Sequence, residues 1–119
     1  MINISSPALK IRVILQPVDM RKSFQGLTST LQQYCIANLD VQHLYLFSNK
    51  RRNLVKLLYF DRTGIYVIAK KLDEGTFSWP SPRQADETIL PLAPEALQLL
   101  LDGVDLRGPK LREWYRSES

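Results

Sequence analysis

The 119 residues contain one cysteine, Cys35, and one histidine, His43. A single thiol forms no internal disulfide, and one thiol with one imidazole falls short of a structural zinc set, so no cofactor or metal is expected. Glycine is sparse, at five residues, and none of them belongs to a nucleotide-binding glycine loop. Long apolar runs are also missing. Residues 57–60 and 65–69 are far too short to span a bilayer, and no charged start leads into an apolar stretch as in a signal peptide. A soluble, cytoplasmic protein with no membrane partner is the expectation. Acids are scarce in one part of the chain. Residues 1–71 hold only Asp19, Asp40 and Asp61 against eleven Lys or Arg, whereas residues 72–119 hold nine acids against five. The total of +4 thus divides into +8 followed by −4. Such asymmetry is a physical reason to expect a polyanionic partner, the plain alternative being a mixed surface sorted along the chain.

What is present is enough apolar residue, 45% of the chain, for one small core. The reading is a single domain over residues 1–106 and a basic, aromatic tail over 107–119, either a short helix or an arm. Residues 9–15 alternate Leu9, Ile11, Val13 and Leu15 with Lys10, Arg12 and Ile14, the period of a strand. Pro17 stops the run, and Asp19 is placed to cap a following helix, in which Phe24, Leu27, Leu31, Tyr34 and Cys35 recur at spacings of three and four. Extended segments follow near 43–48, 54–60, 65–71 and 76–79, with breaks at 49–53, 61–64 and 73–75. Residues 88–90 read as a short edge strand. Pro94 opens a helix whose stripe is Ala96, Leu97, Leu100 and Leu101, and Gly103 ends it. The fold expected is α+β: an antiparallel β-meander of four to five strands with an N-terminal amphipathic helix and a C-terminal helix packed on it.

Three cations, Lys50, Arg51 and Arg52, crowd the turn between the second and third strands. A loop tip of this kind suits phosphate contact, since Arg grips phosphate bidentately; its plain role is to keep a sheet soluble. A three-residue loop at 62–64 would set Lys56 opposite Lys70, and two facing ammonium groups are destabilising unless they are either solvated or offered an anion. A four-residue loop shifts the register by one and removes that pair. Aromatic residues interleave with the cations, and Tyr66 and Trp79 are the rings best placed for exposure, although most serve the core. For catalysis, Asp19 and Asp61 with Asp73 or Glu74 would be the metal-binding carboxylates, yet each has a simpler role as a cap or turn residue. His43 reads as a packing or surface residue and Cys35 as core.

These residues carry a resemblance. Asp19-Met20-Arg21-Lys22 with Phe24, Gly26 and Leu27, then Phe47, Arg51, Arg52, Lys56, Leu58, Asp61 and Gly64, are similar to the small accessory protein of bacterial insertion sequences of the sixty-six type. So are Lys70, Leu72, Gly75, Phe77, Trp79 and Pro80, and finally Leu100, Leu101, Gly103 and Asp105. This is the second open reading frame product, called TnpB in that family and unrelated to the RNA-guided nuclease of the same label. The chain departs from the pattern at Lys71, where Arg is usual, and at Asp73, where Glu is usual, which keeps charge but alters bidentate geometry. The resemblance implies a role in transposition beside a separate transposase that carries the strand-cleavage chemistry, and supplies no catalytic residue. The expectation is a non-catalytic accessory protein, not an enzyme, that binds DNA through Arg21, Lys22, Lys50, Arg51, Arg52, Lys56, Lys70 and Lys71. Its rival is an interaction module that assembles with the transposase, a further accessory protein of the same element, or a second copy of the chain.

Overall fold

A computed structural model describes residues 9–21, 23–33 and 43–103, for Phe24 the backbone alone. Tyr34, Cys35, Lys22 and the tail at 107–119 lie outside the described residues. The elements are β1 (Lys10–Ile14), α1 (Phe24–Gln33), β2 (His43–Ser48), β3 (Leu54–Phe60), β4 (Ile65–Lys71), β5 (Ile89–Leu92) and α2 (Pro94–Leu101). The class is α+β, and the five strands form one sheet in the order β4-β3-β2-β1-β5.

That order corrects the expected meander. The β2–β3 and β3–β4 pairs are antiparallel hairpins, but β1 enters the sheet between β2 and β5, parallel to β2, with Ile11 beside Leu44 and Val13 beside Leu46. Parallel neighbours need a crossover, and the segment carrying α1 supplies it. On the other side of β1, β5 pairs antiparallel, so Val13 also faces Leu90. Residues 76–79 are not a strand. Phe77 donates its N–H to the Arg52 carbonyl at 2.6 Å and is buried, and the segment runs across the end of the sheet instead of adding to an edge.

Strand alternation sorts the side chains onto two faces, each with its own core. Ile11, Val13, Leu44, Leu46, Val55, Leu57, Leu90 and Leu92 share one face with Leu97 and Leu100 of α2. Ile14, Tyr45, Phe47 and Leu58 share the other with Leu27 and Leu31 of α1. A central strand buried on both sides explains why β2 reads as an apolar run, His-Leu-Tyr-Leu-Phe-Ser, without clean alternation. Asp19 does not cap α1. Its carboxylate accepts the N–H of Arg21 two residues on, and at the start of α1 the Leu27 N–H donates to the Ser23 carbonyl. Ahead of the aspartate, Val18 donates to the Ser48 carbonyl, which ties this connection to the end of β2. At the far end Gly103 takes a left-handed φ of 78° and donates to the Leu100 carbonyl, which closes α2.

Candidate nucleic-acid interface

Residues 49–53 turn the chain from β2 into β3, and Asn49 builds the turn. Its side-chain oxygen accepts the N–H groups of Asn53 and Leu54 at 3.1 and 3.2 Å, and its amide donates to the Asn53 side chain at 2.6 Å. The Arg52 N–H closes onto the Asn49 carbonyl. Arg52 itself has φ 59°, a left-handed conformation that a bulky side chain rarely takes. The rest of the turn leaves Lys50 and Arg51 in solvent, and among the described residues no hydrogen bond or ion pair engages either side chain.

Arg52 points the other way. Its guanidinium donates to the Leu15 carbonyl at 2.9 Å and lies 5.3 Å from the ring centre of Trp79, whose indole N–H donates to the Ile14 carbonyl at 3.1 Å. Half-burial lowers its pKa, though a guanidinium stays charged. Trp79 is therefore partly buried beneath a cation, against the expectation of exposure, while Tyr66 is exposed as expected. The cation and the ring together pin the end of β1 to the β2–β3 turn.

The register at the β3–β4 hairpin settles the facing-lysine question against the pair. Phe60 opposes Ile65, so the loop is the four residues 61–64, Lys56 opposes Ala69, and Lys70 opposes Val55. Lys56 and Lys70 consequently project from opposite faces. Lys56 donates to the Met20 carbonyl at 2.6 Å on the α1 side, and Lys70 to the Leu101 carbonyl at 2.7 Å on the α2 side. In the second case a cation meets the C-terminal end of a helix, where the dipole favours it. Lys71, opposite Leu54, is exposed beside the turn. Arg21 is exposed and held to Asp19 by a bidentate ion pair with a closest approach of 2.8 Å, which raises its pKa chiefly through that side-chain hydrogen bond.

One end of the sheet thus gathers Arg21, Lys50, Arg51, Arg52, Lys56 and Lys71, because the C-terminal ends of β1, β2 and β4 and the start of β3 all lie there. The exposed acids Asp73 and Glu74, which follow β4, temper the field at the same end. Asp61 sits at the opposite end of the β3–β4 hairpin. Its carboxylate accepts the N–H groups of Thr63 and Gly64, both at 2.8 Å, and these backbone bonds hold its pKa below the usual carboxylate range. Asp19 and Asp61 are therefore not brought together as a pair of metal ligands. Among the described residues no group of three His, Cys, Asp or Glu converges, and no helix is long and apolar enough to cross a membrane. His43 opens β2 with its ring stacked on Tyr45 at 5.9 Å.

The conformation of Arg52 and its tie to Leu15 were not legible in the sequence, where three adjacent cations look alike. The one available signal is Trp79, an aromatic partner for a buried guanidinium, but nothing in spacing ties it to residue 52.

The family model of the IS66 Orf2-like proteins matches residues 9–111, a span that includes all of this sheet and both helices. The chain belongs to that family. Two relatives come from Sinorhizobium fredii (strain NBRC 101917 / NGR234): the protein y4hO is 29% identical over 106 residues, covering 89% of this chain and 90% of its own, and y4jC is 30% identical over 100 residues, covering 84% and 83%. Both are described as uncharacterized. No solved structure matches. Membership in the IS66 Orf2-like family gives the chain an accessory role in insertion-sequence transposition.

Proposed function

We propose that this IS66 Orf2-like protein is a non-catalytic DNA-binding accessory of transposition that works in the cytoplasm and docks the basic end of its sheet on the phosphate backbone. The observation that carries the reading is the turn itself: Asn49 and Arg52 hold it from within, leaving Lys50 and Arg51 exposed and their side chains without an intramolecular partner among the described residues. A pre-formed tip gives up little conformational entropy on binding, and Lys71 on the neighbouring strand extends the surface. Arg21 and Lys22 would add backbone contacts, Arg21 by exchanging Asp19 for phosphate. Lys56 and Lys70 contribute charge while each gives a donor to a carbonyl of the fold. The separation of Asp19 from Asp61 supports the non-catalytic part of the reading.

A salt titration tests this directly. Binding to element-end DNA should weaken steeply with salt, and Lys50→Gln with Arg51→Gln should flatten the slope of log K against log salt by about 1.8, at about 0.9 for each phosphate no longer neutralised. Affinity independent of salt, or unchanged in the double variant, would overturn the reading.

A second reading draws on Asp73 and Glu74, which share that end with the cations: an interaction module for the transposase or a further accessory protein. It predicts co-purification with those partners from nuclease-treated extract and no measurable DNA affinity.

A further inference from the structure

The two edges of the sheet are built differently. At one edge β5 is four residues long and contains Pro91. The Leu15 N–H donates to the Thr88 carbonyl, so by antiparallel alternation Pro91 lies at a non-hydrogen-bonded position with its missing donor facing outward. That edge is blunted. At the other edge β4 is seven residues long and contains no proline, and its outer side has no strand neighbour among the described residues. Ile65, Tyr66, Val67 and Ile68 are 41, 39, 38 and 43% exposed, so neither helix buries the strand on either face. A long, apolar, open edge is a template for another strand.

We propose that β4 pairs antiparallel with β4 of a second copy of this chain, on a two-fold axis through Ile68, to make one continuous sheet across a dimer. The register follows from the strand. The N–H of Asp61 bonds the Gly64 carbonyl and that of Leu72 bonds the Asn53 carbonyl, so residues 64, 66, 68, 70 and 72 turn their backbone groups to β3. Ile65, Val67, Ala69 and Lys71 turn theirs outward. Centring the axis on Ile68 overlaps all of Ile65–Lys71 and sets Val67 against Ala69 and Ile65 against Lys71 as hydrogen-bonded pairs. The charges fit the same arrangement. Lys70 and Lys71 of the two copies fall at opposite ends of the interface, each Lys70 beside a Tyr66 ring of the other copy, and beyond the strand the exposed Arg62 comes opposite the exposed Glu74. Parallel pairing would instead stack the lysines. This assembly does not depend on the DNA-binding reading: Lys71 belongs to both surfaces, but the pairing uses the strand edge and leaves Lys50 and Arg51 outside.

The interface is at the small end of the range, below about 1,200 Å² in total, so association is concentration-dependent. Sedimentation velocity at about 100 µM should show a dimer of the 13.7 kDa chain. Val67→Pro removes an outward N–H and no bond to β3, and should give a monomer with unchanged circular dichroism. A wild-type monomer at that concentration, or a folded Val67→Pro dimer, overturns the proposal. Register is read by oxidation in a Cys35→Ser background. Ile68→Cys meets itself at a Cα separation of about 4.5 Å and should cross-link. Ile65→Cys lies about 20 Å from its copy and should not. Failure of the first to cross-link in a folded protein, or efficient cross-linking of the second, also overturns it.

Discussion

Arg52, Lys56 and Lys70 each give a donor to a backbone carbonyl distant in the chain, those of Leu15, Met20 and Leu101. These cations fasten the connection after β1, the entry to α1 and the end of α2 to the β2–β3–β4 hairpins. Their removal should therefore register as lost stability, whereas removal of Lys50 or Arg51 should not. Thermal unfolding of Arg52→Ala should show a loss of about 1–3 kcal/mol, from the carbonyl left without its donor and the Trp79 ring left without its cation. Lys50→Gln and Arg51→Gln should stay within about 0.5 kcal/mol of the parent. Asp61 makes a pH-dependent contribution of definite sign. Because the Thr63 and Gly64 N–H groups hold its folded pKa below the unfolded value, its stabilisation is present above the ordinary carboxylate range and is lost as pH falls through the folded pKa. The melting-temperature gap between the parent and Asp61→Ala should be widest at neutral pH and close in strong acid. Glu87 has the same sign, its pKa lowered first by the Arg83 side chain.

Among the elements, the 49–53 turn connects folding to the proposed binding surface. Asn49→Ala deletes the acceptor for two N–H groups and the bond to Asn53, and should cost about 1–3 kcal/mol by chemical denaturation. The same variant should bind DNA more weakly than its stability loss alone accounts for under fully folded conditions, since Lys50 and Arg51 would no longer be held in a fixed presentation. Strands β1 to β4 were legible in the sequence because apolar runs, breaks and turn residues are local signals, and α2 because Pro94 and Gly103 bracket its leucines. Their order was not. That β1 would insert parallel between β2 and β5 depends on packing between residues far apart, and β1 carries the same alternation in either direction. Residues 76–79 misled for a related reason: Phe77 and Trp79 have the spacing of a strand, but they lie across the sheet end, where Phe77 enters the core and Trp79 receives Arg52. The site was legible in composition and not in geometry, since eight cations could be named but not sorted into those facing solvent and those bonded inward.

Among the described residues, the +8 and −4 parts of the chain are interleaved: β5 pairs with β1, and α2 packs on the face that carries Val13, Leu46 and Val55. The Asp73–Glu74 turn follows β4 after Leu72 and returns negative charge to the end of the sheet that holds Lys50, Arg51 and Lys71. If DNA approaches that end, Asp73→Asn with Glu74→Gln raises the net charge by two and should tighten binding several-fold at low salt, with the gain fading once the Debye length falls to about 3 Å near 1 M salt. If a protein partner uses the acids, the same variant should weaken that complex, and neither the parent nor the variant should bind DNA measurably. The placement of β1 also orders events in time. It leaves the ribosome before the other described strands, yet its neighbours are β2, reached only after the α1 crossover, and β5, which pairs Leu90 with Val13 across most of the chain. The β2–β3–β4 hairpins can close as they are made, while β1, in the interior of the finished sheet, waits until β5 has been made before both its edges are filled.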